Sequence, residues 1–526
     1  MSSGKKIVIV GGGTAGWMTA NLMASEWQKL GFDITLIESP QIGIIGVGEG
    51  STPLFKGFMD SLGVPESEWM PECNATYKIG ITFKDWSTKD GFSSYFHHFL
   101  AQPDQFTAAA FFHNSLLREN GLDVEAHPDD FFLSTWLANN KLSPVAPENF
   151  PFEVGYAYHF DAHLVGKLLA RKAVEKGVKH REALIAEVIV AENGNIAGLR
   201  TDQGELIEAD LYVDCTGFRS QIMQQALKVP FISYSENLFN DTAVVFPTKQ
   251  FNEIESRTLA RAMKNGWSWS IPLTNREGNG YVFSSAFCSR DEAETEFRTT
   301  LGLLDDPVEA RFINMKVGRV ERSWVGNCLA VGLSQGFIEP LEATALDVVK
   351  ETAQGFVEAY TRGGFTEKYR DEFNANVNSL FETIRDYIVC HYKVNTRNDT
   401  EYWQENRRNE NISDSLKTIV SAWEAGKYLV DELAKSKLSG YFLHYSWICL
   451  FAGYGIFPEN LKRGKDIAYK YSMRDINDFI RRCGMNFKPH REQLDLLAGG
   501  QGITPMPKIL ATGSAPSSRD AFRIRY

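Results

Sequence analysis

Residues 5–10, Lys-Lys-Ile-Val-Ile-Val, end in an unbroken β-branched apolar run, the pattern of a parallel strand buried on both faces. Glycines 11–13 end it, a helical stretch follows through about Trp27, and residues 32–38 predict a second strand. This is a β-α-β unit opening a doubly wound sheet. The period then shortens to two. Residues 184–201 and 205–213 alternate apolar and polar, with Asn193-Gly194 and Gln203-Gly204 as turn signals, and predict hairpins returning to the main sheet at 211–214. Segments 242–247 and 279–288 predict strands of a second sheet. Beyond about 344 the spacing becomes helical. Leu346, Val349, Ala353, Phe356, Val357 and Tyr360 share one face. So do Val377, Leu380, Phe381, Ile384, Tyr387, Ile388 and His391, and later Leu416, Ile419, Val420 and Trp423. Residues 499–526 are rich in Gly, Pro and Ser and predict a surface-following or mobile tail. The pattern divides the chain into an α/β module over 1–345 with an inserted sheet, a mainly helical subdomain over 346–500, and a tail over 501–526.

Composition narrows the classes. Apolar residues make up 43% of 526, enough for a large core. A net charge of −11 gives no global reason to bind nucleic acid or an anionic membrane. The seven cysteines never pair as C-x-x-C, so zinc spacing is absent and no metal is expected. Scattered thiols predict a reducing, cytoplasmic setting. The apolar run at 7–10 is far too short for a signal segment or membrane span.

Residues 11–16, Gly-Gly-Gly-Thr-Ala-Gly, fit G-x-G-x-x-G directly after the first strand. Gly11 makes the tight turn, Gly13 lets the backbone approach a pyrophosphate, and Gly16 lets helix and strand pack closely. Thr14 and Ala15 open a helix whose free N–H groups face the phosphates. Glu38 ends the second strand, where a carboxylate can accept hydrogen bonds from ribose hydroxyls. The motif does not separate FAD from NAD. Two later strand ends favour FAD: residues 209–217, ending in Asp214-Cys-Thr-Gly217, and residues 327–332, ending in Gly332. Contacts dispersed from Gly11 to Gly332 suit a long, extended cofactor.

Four further segments resemble the flavin-dependent tryptophan halogenases. Gly266-Trp267-Ser268-Trp269-Ser270-Ile271-Pro272 matches that family's W-x-W-x-I-P signature. Gly46-Val47-Gly48-Glu49-Gly50-Ser51-Thr52-Pro53 matches its G-x-G-E-x-T/S-x-P strap between flavin and substrate sites. Tyr77-Lys78-Ile79-Gly80 sits where the family carries its catalytic lysine, and residues 336–344 resemble its P-L-E-S/A-T element. Weaker echoes at 384–387, at His391-Tyr392 and over 447–458 extend the resemblance across roughly 5–490. It implies an FAD-binding, two-dinucleotide (GR2-type) fold with an additional sheet and a helical substrate-binding subdomain.

The resemblance implies a division of labour. FAD, as FADH2, and oxygen oxidise chloride or bromide to hypohalous acid, which then halogenates an electron-rich aromatic. Gly48 and Glu49 belong to the cofactor strap, with Gly332 at the last cofactor strand. Trp267 and Trp269 form a wall keeping the organic substrate from the flavin, rigidified by Ile271 and Pro272. Lys78 takes up the oxidised halogen by hydrogen bond or as a haloamine; Lys84 is a competitor on the same segment. Partial burial would draw the Lys78 pKa toward working pH. Glu342 stabilises the cationic ring, accepts its proton, or polarises the oxidant with Lys78; the three roles stay open. Thr344 and Ala345 hold the halide by backbone N–H groups at a helix start. Ala343 and Ala345 stand where Ser and Gly are commoner. Ala345 adds a Cβ and resists positive φ, which predicts bromide handled at least as well as chloride. His97 and Phe99 align with an aromatic substrate wall, with His98 and Leu100 replacing Pro and Gly.

The substrate is expected to be a small aromatic, indole-type or phenolic, free or carrier-bound. With no reductase module in the sequence, a separate NAD(P)H-dependent flavin reductase is the implied partner, supplying flavin by diffusion. A homodimer is family habit. Three rivals remain on the residues alone: an FAD-dependent aromatic monooxygenase, a non-catalytic flavin-binding protein, and a NAD-dependent dehydrogenase.

Overall fold

The computed structural model describes residues 4–40, 48–249, 253–435, 440–459 and 470–499. The β-branched run at the N-terminus is the central strand Lys6–Val10 of a six-stranded sheet. Asp33–Glu38 and Leu211–Asp214 flank it in parallel, Lys179–Glu182 and Cys328–Ala330 lie outside these, and the short antiparallel Trp324–Val325 closes one edge. Ile7, Ile9, Ile34, Leu36, Leu211 and Val213 on one face, and Val8, Val10, Ile37 and Tyr212 on the other, are all buried, as a sheet covered on both faces requires. The helix Thr14–Trp27 packs between this sheet, the helix Ala162–Glu175 and the helix Ala345–Arg362.

The alternating segments form the predicted hairpins, Ile185–Val190, Ile196–Thr201 and Leu206–Ile207, before the chain re-enters the main sheet. Thr242–Thr248 and Glu277–Phe283 lie side by side in a seven-stranded sheet with Gly266–Pro272, Thr258–Met263, Gly80–Lys84 and Ser94–His98. The strand expected over 279–288 stops at Phe283, and Phe287 and Cys288 turn back onto Ser284. A three-stranded sheet places Thr76–Lys78 beside Ala157–Phe160, with Glu49–Gly50 on the other side. The helices Pro53–Ser61, Glu66–Glu72, Ala108–Glu119 and Leu133–Asn139 were not legible as periodic stretches.

The apolar faces read at the C-terminal end are buried as expected, with Leu380 and Val420 only half-buried. One contiguous core takes in Ile9, Trp267, Phe356, Tyr387 and Leu450. The last described helix, His490–Ala498, returns to the N-terminal half: His490 Nε2 accepts the Tyr77 backbone N–H at 3.1 Å, and its Nδ1–H donates to the Ile254 carbonyl at 3.1 Å. Burial pushes the His490 pKa down to about 4, so the ring is neutral and can serve as acceptor. The 500–526 stretch lies outside the described residues, and no described helix is long and apolar enough to cross a membrane.

Asp214, at the end of its strand and fully buried, accepts from the Thr216 N–H and hydroxyl at 3.0 and 2.6 Å. It also accepts from the Ile222 and Met223 N–H groups at 2.9 and 2.8 Å. It is therefore a loop-and-helix anchor. Asp214→Ala strands these donors, and unfolding in urea should show a loss of about 2–4 kcal/mol; a loss under about 0.5 kcal/mol would reject the anchor.

Candidate active site

Lys78 ends the strand Thr76–Lys78 with none of its surface exposed, and its ammonium donates to the Ser51 carbonyl at 2.9 Å. The nitrogen stands 5.5 Å from the centre of the Phe99 ring, within cation–π range. Burial drives its pKa down to about 8, with the Glu342 and Asp347 charges opposing the fall. The strand is fixed from every side. Tyr77, on the opposite face, shares the Glu66 carboxylate with Tyr156 and Tyr158 at 2.7, 2.9 and 2.6 Å. Thr76 donates to the Pro272 carbonyl at 2.7 Å, tying the lysine strand to the Trp267–Trp269 strand. Lys84 instead stands half-buried in a polar groove with Arg257, Arg261 and Glu277.

Glu342 ends a short 3-10 turn, Pro340–Glu342, whose proline presets the first helical φ. Its carboxylate receives two imidazoles: His97 Nδ1 at 3.0 Å from Oε2 and His391 Nε2 at 3.0 Å from Oε1. Burial alone would raise this carboxyl. The charge and hydrogen bond of His97, with the hydrogen bond of His391, reverse that and hold it down at about 2. His391 passes on to the Tyr454 hydroxyl at 2.9 Å and His97 to the Ser446 hydroxyl at 3.1 Å. His97, expected as substrate wall, thus turns its ring to Glu342. Phe99 lies against Lys78.

Trp267 and Trp269 alternate onto one face of Gly266–Pro272, both buried, with ring centres 5.9 Å apart and planes tilted by 53°. Trp267 donates its indole N–H to Glu339 at 3.0 Å. The Trp269 benzo ring lies over Gly280, where a built Cβ would stand 2.1 Å from Cζ2. Ile271 is buried and, with Leu273, packs against Gly48.

The turn after Glu342 differs from expectation. The left-handed residue is Ala343, at φ 56°, whereas Ala345 is the first residue of the helix Ala345–Arg362, and its φ is not positive. The strain assigned to Ala345 therefore belongs to Ala343. Thr344 precedes the helix and accepts the Val348 N–H, so the first N–H groups of the helix have no intrahelical acceptor. Asp347 occupies that first turn, buried, accepting from Thr52 at 2.5 Å and from the Tyr441 hydroxyl. Burial raises its pKa to about 6. Asp347, Glu339 and His391 were not singled out from sequence as site residues.

At the far end, Gly11 takes φ +116°, and a Cβ there would meet the Cys215 carbonyl oxygen at 2.2 Å. At Gly13 no described atom lies within 4 Å of a built Cβ, and the first turn of Thr14–Trp27 holds no acidic residue. Gly16 packs on the Gly11 carbonyl and Gly332 against Ala15. Glu38 leans over Gly12 and pairs with His180 at 2.7 Å. A close-packed glycine turn, open at Gly13 and facing a helix N-terminus, fits a dinucleotide pyrophosphate. Burial, with the nearby Asp161 charge, raises Glu49 to about 7. Gly46 and Val47 of the strap lie outside the described residues.

Comparison with known proteins points to one family. Residues 6–469 match the family model described as tryptophan halogenase. The chain is 35% identical over 487 residues to tryptophan 7-halogenase RebH of Lentzea aerocolonigenes, covering 87% of this chain and 91% of that protein. It is 35% identical over 484 residues to tryptophan 6-halogenase ThaL of Streptomyces albogriseolus, covering 87% and 90%. Among solved structures, BrvH, a flavin-dependent halogenase from Brevundimonas sp. BAL3, superimposes with a TM-score of 0.81 at 30% identity, covering 94% of this chain and 99% of that one.

The depressed Lys78 pKa has a stability consequence. The folded amine releases its proton near pH 8, the unfolded one near its ordinary 10.5, so between these values the unfolded chain binds more protons and stability rises with pH. The unfolding free energy of wild type relative to Lys78→Met should climb across that window and level off outside it. A flat difference would mean a solvated lysine.

Proposed function

The chain belongs to the tryptophan halogenase family, and from that premise we propose how its residues divide the work of a flavin-dependent halogenase. Gly11, Gly13, Thr14, Ala15 and Gly16 would hold the FAD pyrophosphate, Glu38 a ribose, and Gly48, Glu49 and Gly332 the remainder of the cofactor. When bound in reduced form with oxygen, FAD supplies the two-electron oxidation that converts halide to hypohalous acid. The Thr344 and Ala345 N–H groups hold the halide at the positive end of the Ala345–Arg362 helix. Trp267 and Trp269, braced by Ile271 and Pro272, keep the aromatic ring out of the flavin compartment.

The observation that carries this reading is the complete burial of Lys78 beside Phe99 and within the field of Glu342. A pKa of about 8 leaves the ammonium dominant at neutral pH, with an appreciable amine fraction. The ammonium can donate to the hypohalous oxygen; the amine can accept the halogen. Either use restrains an oxidant that would otherwise diffuse. Phe99 offers a face on which an aromatic ring can stack. Glu342, kept ionised by its two imidazoles, stabilises the cationic ring or accepts its proton, with His391 and Tyr454 as the next groups in line.

The named relatives act on tryptophan, and we take an indole as the substrate class here. Reduced flavin would come from a separate NAD(P)H-dependent flavin reductase. The left-handed turn at Ala343, directly before the N–H groups of Thr344 and Ala345, is the departure that supports bromide as at least an equal of chloride.

Incubation with FAD, a flavin reductase, NADH and halide over an indole and phenol panel should give halogenated indole. Lys78→Ala should lose it by at least about 100-fold with flavin binding intact. Full activity in that variant rejects the role of Lys78. In equimolar bromide and chloride, brominated product should equal or exceed chlorinated product; a chloride excess rejects the bromide reading.

A further inference from the structure

Glu339 stands three residues before Glu342, and the two buried carboxylates are treated in opposite ways. Glu342 receives imidazoles. Glu339, with none of its surface exposed, receives neutral donors: the Trp267 indole N–H at 3.0 Å, the Asn240 amide at 3.0 Å and the Tyr392 hydroxyl. Burial pushes its carboxyl up, and the Tyr392, Asn240 and Trp267 hydrogen bonds oppose that. Tyr392 and His391 are neighbours on the helix Arg370–Lys393. One helix therefore holds both carboxylates, His391 gripping Glu342 and Tyr392 gripping Glu339. Tyr402 extends the polar cluster by donating to Asn240 at 2.9 Å. The network is costly: three polar side chains are withdrawn from water to meet one carboxylate in an apolar wall. Indole packing alone would not need it, since Trp269 is buried with no partner for its N–H among the described residues.

We propose that Glu339 is a positioning residue for the halogenation reaction: by fixing the Trp267 indole through its N–H, it sets the orientation of the wall and so directs hypohalous acid to Lys78 instead of letting it escape. The inference rests on the reading of Trp267 and Trp269 as the partition. The strand Gly266–Pro272 is paired on both sides in the interior of its sheet, which fixes the Trp267 backbone and leaves χ1 and χ2 to be set by what the buried indole meets. A carboxylate hydrogen bond from the far side selects one orientation. The same short turn then couples wall and reaction centre, because a shift of Glu339 moves Glu342 with it.

The test uses the full chain supplied with FAD, flavin reductase, NADH, bromide and an indole, and reads two products together. One is halogenated indole per oxygen consumed. The other is halogenation of a soluble 1,3-diketone too large to share the pocket, which reports escaped hypohalous acid. Glu339→Leu should lower the first and raise the second, shifting their ratio by at least about threefold, with little change in the indole KM. Glu339→Gln, which keeps an acceptor for the Trp267 N–H, should restore the ratio to within about twofold. Trp267→Phe keeps a ring but removes the donor, and should shift the ratio as Glu339→Leu does. The double variant should be no worse than either single one. Tyr392→Phe, a milder change that loosens the same carboxylate, should shift the ratio in the same direction even if Glu339→Leu does not fold. An unchanged ratio in both Glu339→Leu and Tyr392→Phe, while Trp267→Phe shifts it, overturns the role of Glu339 and leaves the partition standing. An unchanged ratio in Trp267→Phe overturns the partition and the proposal together. Additive losses in the double variant also overturn it, since Glu339 would then act elsewhere.

Discussion

A lysine side chain without solvent contact, its ammonium donating to the Ser51 carbonyl, is the constraint around which the site is built. An isolated ammonium in an apolar interior is expensive, and the protein meets the cost partly with distant carboxylates and partly by letting the proton bind less tightly. That solution works only if the strand carrying the lysine cannot move. Three unrelated segments see to it. The Tyr77 side chain is held at Glu66, its backbone N–H by His490 of the helix His490–Ala498, and Thr76 by the Pro272 carbonyl of the tryptophan strand. The wall and the lysine are thus one mechanical unit, although 189 positions separate Lys78 from Trp267 in the chain.

The segment 336–344 supplies the complementary half. It places two carboxylates within one short turn and sends them to different partners. Ionisation is enforced at Glu342 by paired imidazoles, a setting suited to a group that must meet positive charge on a reacting ring. At Glu339 the donors are neutral, a setting suited to holding geometry. Immediately after them the chain passes through the left-handed Ala343 into a helix whose N-terminus can face an anion. The Asp347 carboxylate in that first turn, shared with Thr52 and Tyr441, links the helix to the strap and to the C-terminal region.

Much of the frame was legible because it rests on local pattern. The run at 7–10, the glycines after it and the alternation at 184–201 each fix an element by its own period. The motifs at Lys78, at the tryptophan pair and at Glu342 carried the family resemblance, and the family match bears it out. What escaped depends on burial and on partners distant in sequence. Glu339 lay inside a quoted segment, yet nothing local distinguishes a buried carboxylate from a solvated one. His391 read as one more position on an apolar helix face, and only the fold brings it to Glu342 across 49 residues. His97 aligned with a substrate wall, but its ring nitrogen is spent on Glu342. Replacement of glycine at 345 suggested strain there; the turn instead places positive φ two residues earlier, which backbone geometry alone reveals. Of the helices between 53 and 139, Pro53–Ser61, Glu66–Glu72 and Leu133–Asn139 run for only seven to nine residues, too few turns for a 3.6-residue period to emerge.

Separation of the aromatic ring from the flavin, with halogen and not oxygen crossing between them, is what the proposed chemistry requires. Turnover under isotopically heavy oxygen gas, with bromide and an indole, tests that most directly by mass spectrometry of the product. Separation predicts brominated indole free of heavy oxygen, the label leaving as water. Heavy oxygen incorporated into the aromatic ring would show direct access to the flavin and contradict it.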